Sequence, residues 1–95
     1  MKRYVVEKFG RQGETFEIIA KAADHKTSYG IPFILSYSSL NENIVRSIRK
    51  GDIIYVSGKN EEKDFQGIDT VDAIYLFDRD AREFKKLFEK KQNKF

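Results

Sequence analysis

Two stretches of this chain alternate their residues with a period of two, and that alternation limits most strongly what the chain can fold into. From Thr15 onward, Phe16, Ile18, Ala20 and Ala22 interleave with Glu17, Ile19, Lys21 and Ala23; from Ile31 onward, Ile31, Phe33, Leu35 and Tyr37 share every second position. Successive side chains of a strand point to opposite faces, so each stretch reads as a strand with one face covered. Ahead of them, residues 3–9 are rich in β-branched and aromatic types and stop at Gly10, with Gly13 as a second turn signal. These predict strands over 3–9, 15–23 and 31–38, the third limited by Pro32 to a strand start or an exposed edge.

The period then changes. Ser39-Leu-Asn-Glu42 has the form of a capping box, Leu40, Ile44, Val45 and Ile48 recur at helical spacing, and Gly51 suits the left-handed residue that closes a helix. A fourth strand is predicted from Asp52 to Gly58 and a fifth over 68–77, separated by a polar loop. Asp80-Ala-Arg-Glu83 is a second capping pattern, and Ala81, Phe84, Leu87 and Phe88 make an apolar stripe on a basic segment, which predicts a C-terminal helix over 79–95. Strand, strand, strand, helix, strand, strand, helix is compatible with a partly open five-stranded barrel of the oligonucleotide/oligosaccharide-binding (OB) type. Its middle helix would plug one end. A mixed sheet with two helices on one face is the structural competitor. Residues 1–78 would form the barrel and 79–95 a basic amphipathic helix of the same domain.

Composition narrows the chemistry. Ninety-five residues allow one modest core, and the absence of cysteine removes disulfides and thiolate metal sites. With a single histidine as well, neither a metal nor a cofactor is expected. The start, Met1-Lys2-Arg3-Tyr4, lacks the apolar core of a signal peptide, and no run of about 18 apolar residues occurs, so a cytoplasmic protein off the membrane is expected. Net charge is +3 but uneven: nine basic and five acidic groups over 1–51, three and eight over 52–81, six and two over 82–95.

The passage Asn43-Ile-Val-Arg-Ser-Ile-Arg-Lys-Gly-Asp-Ile-Ile-Tyr-Val-Ser-Gly-Lys59 resembles the stretch of bacterial single-stranded DNA-binding proteins where a helix leads into a strand of the form Gly-x-x-x-x-Val-x-Gly. Phe65-Gln-Gly-Ile-Asp-Thr-Val-Asp-Ala-Ile-Tyr-Leu-Phe77 is similar to the final strand of that family and of the middle subunit of replication protein A. Together the similar parts span about residues 43–77. The resemblance implies an OB fold, a binder of exposed single strands, and a setting in replication or mobile-element DNA processing. The chain differs from the bacterial family in having no tryptophan and in ending on a basic tail instead of an acidic one.

Binding of single strands without sequence preference needs cations that follow the phosphates and flat side chains on which bases stack. In an OB barrel the ligand face comes from strands two and three and from the loops joining strands one to two and four to five. On that map the candidates are Lys8, Phe9 and Arg11 in the first loop, Lys21 on strand two, Lys26 and Tyr29 in the following connection, and Phe33 and Tyr37 on strand three. Tyr55, Lys59, Lys63 and Phe65 complete the set. Each has an ordinary competing reading: core for the aromatic residues, Phe33 above all, and solvated surface charge for the cations. Glu61, Glu62, Asp64, Asp69 and Asp72 would repel phosphate if they faced the same groove.

The C-terminal segment has two functional readings. Lys85, Lys86, Lys90 and Lys91 extend the surface for single-stranded DNA or RNA, or Phe84, Leu87 and Phe88 dock a protein partner or a second copy in a homo-oligomer. A third reading has it simply covering a barrel opening. Enzyme chemistry is not expected: His25 has no cysteine to activate and sits among turn residues, Asp69 and Asp72 would point to opposite strand faces, and no phosphate-cradling glycine loop occurs. The function expected is therefore non-enzymatic binding of single-stranded nucleic acid. A protein-interaction module is the alternative.

Overall fold

The computed structural model describes residues 1–23, 29–59 and 71–90. Its strands are β1 (Lys2–Gln12), β2 (Thr15–Ala22), β3 (Ile31–Ser36), β4 (Ile53–Gly58), β5 (Val71–Asp78) and β6 (Glu83–Glu89), with one short helix, α1 (Glu42–Val45), between β3 and β4. All pairings are antiparallel, in the order β3-β2-β1-β4-β5-β6. The fold is all-β. The two ends of the sheet approach through one further bridge, Leu40 with Phe88, beside which the Asn41 amide donates to the Leu87 carbonyl at 3.0 Å.

The two alternating stretches behave as their period requires. Phe16, Ile18, Ala20, Phe33 and Leu35 are buried on one face, while Glu17, Lys21, Pro32 and Ile34 lie on the other. The same covered face receives Tyr4, Val6, Ile54, Val56, Ile74 and Leu76, and Leu40, Ile44 and Ile48 close over it in a single cluster. Burying each of these larger side chains contributes about 1.5–3 kcal/mol.

Three expectations are corrected. The sheet is an open one of six strands rather than a five-stranded barrel, its sixth strand arising because residues 83–89 form β6 and not the predicted C-terminal helix. The i, i+3, i+4 stripe of Phe84, Leu87 and Phe88 that imitates a helix comes from a register shift: Ile74 pairs with Phe88 but Tyr75 with Lys86, leaving Leu87 as an extra residue. Such a bulge breaks the period of two and turns two successive residues inward. Leu87 and Phe88 are accordingly core, at 1% and 4% exposure, so they offer nothing for docking a partner.

The predicted middle helix also shrinks. Residues 37–39 make a 3-10 turn, α1 has four residues, and its cap is Asn41, whose side chain accepts from the Asn43 amide at 3.1 Å, instead of Ser39. The Ser47 hydroxyl donates to the Ile44 carbonyl at 2.8 Å, an alternative bond that disfavours continuing the helix. Gly51 does take the expected left-handed conformation, at φ 92°. Its amide donates to the Val6 carbonyl at 2.8 Å, seating the turn on β1. Among the described residues no helix is long and apolar enough to cross a membrane.

Candidate nucleic-acid interface

β1 is longer than its sequence signal, and this creates the site. Its first half pairs with both β2 and β4; after a register shift between Val6 and Lys8 it continues with β2 alone to Gln12. The result is a hairpin arm closed at Gly13, which takes φ 62°, and by the Thr15 hydroxyl donating to the Gln12 carbonyl at 2.9 Å. Beyond the reach of the core, Lys8, Phe9, Gly10, Arg11 and Gln12 are all exposed.

Phe9 pairs with Ile18 and Arg11 with Phe16, so both side chains continue the covered face past the edge of the core. Phe9 stacks on Phe16 with ring centroids 6.2 Å apart, and Phe16 meets Tyr37 at 6.4 Å. The Arg11 guanidinium lies 3.7 Å over the Tyr37 ring and its Nε donates to the Gly13 carbonyl at 2.9 Å. Tyr37 is held in turn by its amide, which donates to the Glu14 carbonyl at 2.8 Å. Cation and ring thus fix each other from β1 and the turn after β3, elements far apart in sequence, an arrangement worth about 0.5–1 kcal/mol at an exposed site.

Two concavities border this pair. One of about 480 Å³ is lined by Lys8, Phe9, Arg11, Gln12, Glu17 and Ile34 among others; one of about 290 Å³ lies between Arg11, Glu14, Ser36, Tyr37 and Ser38. Their charge is mixed, since Glu14 and Glu17 sit with Lys8 and Arg11. Gln12, Glu17 and Ile34 carry no signal of their own in the sequence, and only the strand pairing brings them here.

The other expected residues disperse. Lys21 lies on the outer face of β2, bound to Glu7 at 2.9 Å, and Tyr29 is 88% exposed ahead of β3. Phe33 is core, 3% exposed with its ring edge-on to Tyr4 at 5.2 Å, which corrects its place in the groove: its partner across the strand pair, Ile18, faces inward. Lys59 is exposed just after β4. Lys26, Lys63, Phe65 and Lys91 lie outside the described residues, as do Glu61, Glu62, Asp64 and Asp69; Asp72 is exposed on β5.

Tyr55 belongs to a different surface, the outer face of β4–β6. Opposed pairs run across it, Arg3 with Tyr55, Tyr55 with Tyr75, and Tyr75 with Lys86, while Phe77 pairs with Phe84. Tyr55 meets Phe84 edge-on at 4.8 Å, Phe77 meets Phe84 at 5.1 Å, and Lys86 Nζ lies 5.9 Å from the centre of the Tyr75 ring. Lys86 also bonds Glu89 at 3.0 Å, Lys85 bonds Asp78 at 2.7 Å, and the Lys90 amide donates to the Asp72 carbonyl at 2.8 Å. The Asp78 partner holds the Lys85 ammonium above its usual range, and Lys85 with the amide of Ala81 holds the Asp78 carboxyl below its own. Tyr75 and Phe77 carry no outer-face signal in the sequence, because the run from Ala73 to Phe77 is continuously apolar and hides the period of two.

Comparison with protein-family models, curated proteins and solved structures found no match for this chain.

Proposed function

We propose that this chain is a non-enzymatic binder of single-stranded nucleic acid that uses the β1–β2 arm and the adjoining turn after β3 as its contact surface. The polymer expected from the sequence resemblance is DNA. The observation that carries the reading is Arg11 stacked on Tyr37 at the edge of the core, with Phe9 and Lys8 exposed beside it. A guanidinium already lying on a ring offers donors to a phosphate, and the neighbouring aromatic surface accepts a base, for which stacking is worth about 1–3 kcal/mol. The meander of β1–β3, the return of β4 to β1 and the short helix between β3 and β4 support an OB-like strand order, carried here on an open sheet with β6 added at its edge.

Glu14 and Glu17 in the same concavities keep the attraction local, so few phosphates are engaged. The test is an anisotropy titration of labelled oligo-dT, oligo-U and a duplex of equal length at two salt concentrations. Single strands are expected to bind more tightly than the duplex, with a logarithmic salt slope of about −1.4 to −2.1, the value for two or three phosphate contacts on a single strand. Arg11→Ala should flatten that slope by close to one contact. No binding of either single strand at micromolar protein in low salt would overturn the proposal.

A further inference from the structure

Beside the aromatic face of β4–β6 lies a concavity of about 550 Å³ that holds none of the residues predicted for the groove; its lining includes Arg49, Lys50, Phe77, Arg79 and Lys85 together with Asp52, Asp78 and Asp80. Its charges are not equivalent. The Asp52 carboxylate accepts from the Arg49 amide at 2.8 Å, and Asp78 accepts from Lys85 and from the amides of Asp80 and Ala81 at 2.9 and 3.1 Å. These two acids are consumed in building the Gly51 turn and the β5–β6 turn. Lys50 and Arg79, by contrast, make no ion pair with a described residue, and the Arg49 side chain adds a third cation.

Phe77 belongs both to this concavity and to the ring cluster with Phe84 and Tyr55, and Tyr75 lies opposite Tyr55 on the same face. Phe84 is 53% exposed on the edge strand β6, opposite Phe77. Among the described residues Asp80 engages only through its backbone amide, so its carboxylate still opposes the cations, but with Asp52 and Asp78 bonded into the turns Arg49, Lys50 and Arg79 outnumber it. Flat rings beside such an excess of cations match a single strand, whose bases stack while its phosphates seek donors. A second copy of the chain fits less well, because self-pairing would have to cover a concavity in which Arg49, Lys50 and Arg79 offer cations with no matching excess of acids among the described residues of the same face.

We infer that the outer face of β4–β6 and the Arg49–Lys50–Arg79 concavity form a second contact surface for single-stranded nucleic acid. The bases stack on Phe84 and Tyr75, and the backbone turns past Phe77 to place a phosphate among the three cations. This inference rests on the proposed single-strand binding, and the experiment separates the two.

The chain has no tryptophan, so Phe84→Trp places a single reporter on the face. Phe9→Trp, on the β1–β2 arm, reports the first surface. Both variants are titrated with oligo-dT of increasing length while binding is followed independently by anisotropy. Quenching of the Phe84→Trp emission by the longer oligonucleotides, relieved by salt, is expected, and the double variant Lys50→Glu, Arg79→Glu should weaken long-oligonucleotide binding about fivefold or more.

Binding by anisotropy with quenching only in Phe9→Trp, and an unaltered affinity in the double variant, would overturn the second surface and leave the first. No binding at all would remove both. A Phe84→Trp signal that instead follows protein concentration alone, with a doubled mass by light scattering, would assign the face to self-association and overturn the inference.

Discussion

Phe33 on β3 and Tyr37 in the turn just after it show how two aromatic residues four apart divide between binding and stability. Tyr37 is half-buried at the end of the core with Arg11 across its ring, whereas Phe33 is sealed within it. Phe33→Ala should cost about 3–5 kcal/mol, the range for emptying a phenylalanine site in a core. The change in urea unfolding midpoint measures it. Tyr37→Ala should weaken oligonucleotide binding more than it lowers the melting temperature, and equal losses in both would mark Tyr37 as core. Arg82 is the one non-glycine residue with positive φ among those described, at 53°. A side chain there costs about 1–2 kcal/mol through contact of Cβ with the next carbonyl. Thermal melts should therefore rank Arg82→Gly at or above the parent chain and Arg82→Val, branched at Cβ, below it.

At the scale of the element, the turn between β5 and β6 decides whether the C-terminal segment runs as a strand. Asp78 takes the place a helix cap would have needed at Asp80: its carboxylate accepts from the amides of Asp80 and Ala81 and from Lys85, folding the chain back on itself. Those same bonds lower the Asp78 pKa below its ordinary carboxylate value, and the sign of the linkage follows. A group with a depressed folded-state pKa stabilises the fold above its unfolded pKa and loses that contribution as pH falls through the depressed value. The parent chain should therefore lose melting temperature on acidification below the ordinary carboxylate range. Asp78→Asn, already without the charge, should begin lower at neutral pH and fall less. Parallel pH profiles for the two proteins would show that the turn does not depend on this carboxylate.

For the whole molecule, β6 is structural: Leu87 and Phe88 fill the core, and the Leu40–Phe88 bridge brings the two ends of the sheet together. Ending the chain after Asp78 should abolish the cooperative thermal transition seen by circular dichroism, since two buried side chains worth several kcal/mol are a large share of the 5–15 kcal/mol that holds a domain together. A peripheral helix would instead have been removable with little loss. What the sequence determined by itself was the all-β character, the covered faces of β2 and β3, the left-handed turn at Gly51 and the exposure of Lys8, Phe9 and Arg11, though these lie on β1 and not in the loop expected for them. Each follows from a local signal, a period of two or a residue suited to a particular backbone conformation. The tertiary structure alone decided that 83–89 is a strand, because a bulge there reproduces helical spacing and only pairing with β5 distinguishes the two. It also decided that Arg11 lies on Tyr37 and that Tyr55, Tyr75, Phe77 and Phe84 gather on one face, since these residues meet across strand pairs whose register no local pattern contains.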